Sequence, residues 1–378
     1  MKKICISIYI ITLLLNNIYA EVYDINKIKC PAFILTEKNS NRVILEKESK
    51  KKRSIASLTK VLTAIVVLET AKLNDVVEIS SKSASIGGST VGLDKNAKVS
   101  VENLLYSLML CSGNDAAIAL AEHIGGSVEG FSVYMNNKAK ELGAYNSHFV
   151  SPHGLDNEEH YSTALDMAKI TSHALNIKKF REIITTKSIT VNLGTHTKRI
   201  NNTNRLLKTY EYTTGVKTGF TNKANRCFIG SAKKEDLEYI AVVLGNETTD
   251  LRFNNAETLL RYGVDNYTNV ELDNILNWYI NIKINKGAKE EYKVYEKAKF
   301  TYPLKKGELE KISVTNEVMR ELNAPCNKGM KIGEVKATLD NKVIYVKEIF
   351  LKEKIEKKQI KDYLLYGVKN IFNIDIEF

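Results

Sequence analysis

The sequence predicts an α/β sandwich, an antiparallel sheet with a helical region inserted, followed by a small all-β C-terminal domain and a terminal amphipathic helix. Four observations predict it. Strand-length apolar runs stand at both ends of the first 267 residues: Ala32-Phe33-Ile34-Leu35 and Arg42-Val43-Ile44-Leu45 near the start, Arg226–Ser231 and Tyr239–Leu244 near the end. The stretch between, about 57–185, carries mainly helical spacing. Beyond about residue 268 the chain turns to alternating runs, Trp278–Ile284 and, less strictly, Lys342–Val346, punctuated by Pro303, Gly307, Pro325 and Gly333. Last, Ile360, Tyr363, Leu364, Gly367, Val368, Ile371 and Phe372 form one helical stripe with Lys357, Lys358, Lys361 and Lys369 off it. The resulting division is 1–20, 21–267, 268–350 and 351–378.

Residues 1–20 read as a secretory signal. Lys2 and Lys3 precede an apolar run from Ile4 to Leu15, and Ile18-Tyr19-Ala20 offers a small residue for cleavage. The run is too short for a membrane span. Export follows, and with it the partner classes that the charge allows. The chain has 55 Lys and Arg against 44 Asp and Glu, net +11, or +9 without Lys2 and Lys3. That excess suits an anionic envelope or membrane surface. Nucleic acid is excluded by export and by the lack of a recognition motif. Cys5 leaves with the signal; Cys30, Cys111, Cys227 and Cys326 have no C-x-x-C spacing, so zinc and redox motifs are absent.

After the hairpin at 31–45, Leu58, Val61, Leu62, Ile65, Val66 and Leu68 predict a helix with Ser57 in its first turn. Lys60, three residues on, then shares a face with Ser57. A serine hydroxyl needs a neighbouring base, and a lysine serves as one only when burial or a second cation lowers its pKa. Val101–Leu110 predicts an amphipathic helix, Ser112-Gly113-Asn114 a turn, and Ala116–Ile124 a second helix. Ser112 can relay a proton, and the Asn114 amide can bond a substrate carbonyl. Lys217-Thr218-Gly219 opens the later strand region. Lys217 is the candidate second cation, Lys217 and Thr218 suit a carboxylate, and Gly219 admits a ligand backbone. Asp250–Gly263 predicts a closing helix. S-x-x-K recurs at Ser49–Lys52 and Ser231–Lys234, whereas the other two strings occur once, so the ordered set is the signal.

With those strings on the page, the chain resembles the low-molecular-mass penicillin-binding proteins of the serine D-alanyl-D-alanine carboxypeptidase type, which share the serine β-lactamase-like sandwich. The likeness covers about residues 30–267. It extends to Pro152-His153-Gly154-Leu155-Asp156 and His160-Tyr161-Ser162-Thr163-Ala164, which resemble a signature of the site wall. It implies that Ser57 attacks the penultimate D-alanine carbonyl of a peptidoglycan stem peptide. Lys60 takes the proton, D-alanine leaves, and water hydrolyses the acyl-enzyme. It further implies an oxyanion hole from the Ser57 and Phe220 N–H groups, a carboxylate clamp of Lys217, Thr218 and Arg252, and inhibition by β-lactams. Two positions depart from the pattern: Thr214 replaces an acidic residue and Ser151 an Asn.

No cofactor is implied. His153, Asp156 and His160 match no metal-ligand spacing. The nearest rivals are a D,D-endopeptidase on crosslinks and a non-catalytic wall-binding protein of the same fold. A β-lactamase fits less well, because no general-base Glu loop precedes Lys217. The 268–350 domain is expected to be a spacer and the 351–378 helix a membrane-surface anchor on the outer side of the cytoplasmic membrane or in the periplasm.

Overall fold

The computed structural model describes residues 25–296 and 299–360. The predicted signal 1–20 and the terminal stripe beyond Ile360 lie outside the described residues. The chain divides between Asn266 and Tyr267 into two compact units.

In the first unit the two chain ends meet in one sheet. Ala32–Glu37 (β1) pairs antiparallel with Val43–Lys47 (β2), as the hairpin reading expects, and through its other edge with Leu237–Asn246 (β9). Thr213–Thr221 (β7) and Asn225–Lys234 (β8) complete an antiparallel meander, in the order β2-β1-β9-β8-β7. β9 is buried along nearly its whole length. Its continuous apolar run, in place of strict alternation, is what a central strand covered on both faces requires. The two covers can be told apart by glycines. A Cβ on Gly215 would meet Ile184, whereas one on Gly230, which pairs with the next residue Val216, would meet Leu260. Thr249–Asn266 therefore packs on one face and the inserted helices on the other, as side chains alternate along a strand.

The inserted layer holds the helices Lys60–Thr70, Val101–Leu110, Asn114–Gly125, Val128–Glu141, Ala164–Ala174 and Lys178–Thr185. Ser100, Ser127 and Thr163 cap three of these by accepting from Asn103, Gly130 and Asp166 backbone N–H groups. Lys60–Thr70 runs through the middle of the layer, buried from Lys60 to Val67. Two short ribbons, Val76–Glu78 with Lys98–Ser100 (β3, β4) and Ser188–Asn192 with Thr197–Asn201 (β5, β6), interrupt it.

The second unit is all β apart from short helical turns. Tyr267–Glu271 (β10) pairs with Thr301–Lys305 (β13). Trp278–Asn285 (β11) lies between Glu291–Glu296 (β12) and Glu321–Asn323 (β15), and Lys331–Leu339 (β16) between Ile312–Val318 (β14) and Lys342–Phe350 (β17). Ile282 and Ile284 enter a core with Val294, Leu322, Ile332 and Ile349, while Asn281 and Lys283 between and beside them do not. That is the two-residue period read at 278–284. β17 is an edge strand with Val343, Val346 and Phe350 exposed, which accounts for its looser alternation.

Candidate active site

The segment around Ser57 departs from the helix-start expectation. Ala56–Thr59 forms a 3-10 turn and the α-helix begins at Lys60. Ala56, buried, takes φ +50°, a conformation that costs a residue bearing a Cβ roughly 1–2 kcal/mol. The tight turn keeps Ser57 and Lys60 adjacent: Lys60 Nζ lies 2.9 Å from Ser57 Oγ.

Lys60 has no solvent exposure. Its other partners are Asn114 Oδ1 at 2.8 Å and the His153 carbonyl at 2.9 Å. A carbonyl can only accept. The Asn114 oxygen is fixed as the acceptor because its Nδ2 donates to the Gly87 carbonyl at 2.8 Å. A neutral amine has two N–H groups and one lone pair. Two obligate acceptors use both N–H groups and leave the lone pair aimed at the Ser57 hydroxyl. Burial, and then the Lys217 ammonium, push the Lys60 pKa well below its ordinary value, against an opposing pull from Asp115. The arrangement therefore favours the form that can take a proton.

Lys217 is also buried, at 1% exposure, and donates to the Thr218 carbonyl at 2.9 Å. Burial lowers it to about 7, with the Arg252 guanidinium adding to the effect. Its charge acts on Lys60. The Thr218 hydroxyl shares a hydrogen at 2.8 Å with Thr203. A Cβ on Gly219 would stand 3.1 Å from both the Ser57 nitrogen and the Ile55 carbonyl, so glycine here lets β7 touch the nucleophile turn. Phe220 follows on this edge strand, its ring half exposed under the Arg226 guanidinium at 4.8 Å. Arg252, from the closing helix, donates to the Gly219 carbonyl at 3.4 Å and itself stands near 10, lowered chiefly by burial.

Ser112 occupies the predicted turn at φ +64° and is nearly buried. Among the described residues its hydroxyl makes no hydrogen bond, to Lys60 or to any other group. Asn114 begins the next helix. Its amide spends one N–H on Gly87 and retains a second for a ligand.

Sequence reasoning missed several supports. The buried Asp115 carboxylate accepts from the Val91, Gly92 and Leu93 backbone N–H groups, tying the 86–93 loop beside Asn114. The Pro152 carbonyl accepts from Thr63 Oγ1 at 2.7 Å, so the wall loop grips the nucleophile helix. Asp156 accepts from Thr221 Oγ1 at 2.6 Å, joining that loop to the end of β7. Thr214, where an acid was expected, bonds Ser231 and the buried Glu238, which receives Arg181. The sequence marks the 152–156 loop as site wall and Thr214 as a departure, but not their partners Thr63, Thr221 and Glu238, which lie too far along the chain for spacing to join; Asp115 could have been flagged by its place beside the Ser-Gly-Asn turn. Among the described residues no group of three or more His, Cys, Asp or Glu could hold a metal ion.

Comparison with known proteins gives matches along most of the chain. The family described as D-alanyl-D-alanine carboxypeptidase matches residues 19–248, and the penicillin-binding protein 5 C-terminal domain matches 278–357. The chain is 32% identical over 331 residues to the D-alanyl-D-alanine carboxypeptidase DacF of Bacillus subtilis, covering 86% of this chain and 85% of that one. It is 32% identical over 340 residues to DacC of Escherichia coli, covering 86% and 84%. The solved penicillin binding protein 5 from Haemophilus influenzae matches with TM-score 0.75 at 29% identity, covering 88% of this chain and 98% of that one. DacD from Francisella tularensis gives 0.71 at 27%, covering 87% and 94%.

Proposed function

Because this chain belongs to the serine-type D-alanyl-D-alanine carboxypeptidase family of penicillin-binding proteins, we propose that Ser57 is the residue it acylates. The protein is a hydrolase of cell-wall remodelling that removes the terminal D-alanine from peptidoglycan stem peptides, and β-lactams inhibit it. One observation carries the assignment of Ser57: the Lys60 amine faces its hydroxyl at 2.9 Å with both N–H groups engaged elsewhere.

The proposed sequence of steps uses this chain's own groups. An extended stem peptide lies along the open edge of β7, with its terminal carboxylate toward Lys217 and Thr218 and the field of Arg252 behind them. As Ser57 Oγ bonds the carbonyl carbon, its proton passes to Lys60 Nζ. The N–H groups of Ser57 and Phe220 receive the developing oxyanion. Ser112 then carries the proton from Lys60 to the departing amine, the C–N bond breaks, and Asn114 holds the acyl chain through its free N–H. Water hydrolyses the ester by the reverse relay. We further assign 21–267 as the catalytic domain and the β domain from 268 as a spacer. That domain runs past the expected end at 350, since Leu351 and Ile355 enter its core and Ile355 pairs with Cys326, so the part of 351–378 beyond it is the segment that holds an exported enzyme at the membrane surface of the cell envelope.

Incubation of the mature protein with a fluorescent penicillin tests the chemistry. Covalent label on the wild type and none on Ser57→Ala is expected, together with D-alanine release from a pentapeptide. A wild type that takes up no label refutes the assignment.

A further inference from the structure

We infer that His160 and Thr59 are positioning residues that hold the nucleophile turn in its strained form through a hydrogen-bond chain with one fixed direction. The inference rests on Ser57 being the acylated residue and concerns how that residue is presented. The chain begins at the wall segment. The Val150 backbone N–H donates to His160 Nδ1 at 3.2 Å, and a backbone N–H cannot accept. Nδ1 is therefore the lone-pair nitrogen and Nε2 carries the hydrogen. Nε2 lies 2.8 Å from Thr59 Oγ1, which accepts from it and gives its own hydrogen to the Ala56 carbonyl at 2.8 Å.

The end of the chain is the residue before Ser57, the one at φ +50°. Fixing its carbonyl fixes the peptide plane that carries the Ser57 N–H. Both the hydroxyl's direction and the proposed oxyanion donor thus depend on it. His160 is suited to a constant role. It is 3% exposed, packed edge-on against Phe149 at 5.5 Å, and burial holds it at about 4, hence neutral. A second observation shows the same carbonyl gripped from another side. Gly154 has φ +83°, and a Cβ on it would lie 2.0 Å from the Ala56 oxygen and 2.5 Å from Thr59 Oγ1. The wall loop is thus moulded around this carbonyl. Neither Thr59 nor His160 touches the reacting atoms.

The test measures fluorescent-penicillin acylation of the mature chain against concentration, separating the limiting rate from the half-saturating concentration. Thr59→Val removes the donor to Ala56 at nearly constant volume. It is expected to lower the limiting rate about tenfold or more, since small misplacements of reacting groups carry that cost, while half-saturation moves less than about threefold. Thr59→Ser restores the hydroxyl and is expected to return to within about threefold of wild type. His160→Gln, which keeps an N–H donor at the outer position, is expected to outpace His160→Phe, and this pair decides the matter if Thr59→Val does not fold. Thr59→Val acylating at the wild-type rate, or Thr59→Ser as slow as Thr59→Val, overturns the positioning chain while leaving Ser57 as nucleophile intact. A wild type unlabelled at Ser57 overturns both.

Discussion

Replacing Lys217 by Met should make the protein more stable and less active at the same time. Lys217 is buried, and its pKa falls from 10.5 to about 7, chiefly through burial. At about 1.4 kcal/mol per pH unit, holding this group folded at neutral pH opposes stability by roughly 4–5 kcal/mol. Methionine fills a similar volume without a charge. Losing the bond to the Thr218 carbonyl returns about 1 kcal/mol of that, so a net gain of about 3 kcal/mol is expected near neutral pH. The sign has a signature. Between about 7 and 10.5 the unfolded chain holds the proton and the folded chain does not, so wild-type stability rises with pH over that window. The variant's advantage should therefore shrink by roughly 2 kcal/mol from about pH 7 to about pH 9. Urea unfolding of both proteins at the two pH values reads the difference, and penicillin acylation, expected to fall about 100-fold or more, reads the cost. A variant less stable than wild type, or an advantage that does not change with pH, refutes the account of Lys217 as a charge held against its preference.

Gly219→Ala sets a Cβ 3.1 Å from the Ser57 nitrogen and 3.2 Å from the Ala56 Cβ. Acylation should slow about 10- to 100-fold while urea unfolding shows a loss of only about 1–2 kcal/mol. Asp115→Asn turns an amide N–H toward the three donors of Val91, Gly92 and Leu93, and should cost about 2–4 kcal/mol in the same unfolding measurement. Unchanged stability would contradict the convergence of those donors on one carboxylate. A chain ending at Gln359, which keeps the Cys326–Ile355 and Gly287–Lys357 pairings, should lose co-sedimentation with anionic vesicles; full retention removes the anchor role given to the C-terminal segment.

Local pattern alone determined a good deal. The three-residue spacing of Ser57 and Lys60 puts them on one turn in either kind of helix, so the mistaken α-helical start did not disturb the pairing. Apolar runs at 32–35 and 239–244 announced strands, whereas the central place of the second was decided by the sheet itself. Polar composition hid β3 with β4 and β5 with β6, whose short exposed strands carry little periodic signal. Tertiary structure decided the chemistry. Alanine has no preference for φ +50°, so nothing at Ala56 marks the strained turn. The lowered pKa of Lys60 depends on desolvation and on Lys217, brought from a distant strand; the His160–Thr59–Ala56 chain likewise joins groups far apart in sequence. Spacing along a helix is a property of neighbouring bonds, whereas desolvation and like-charge proximity exist only after the sheet and the helical layer have closed on each other.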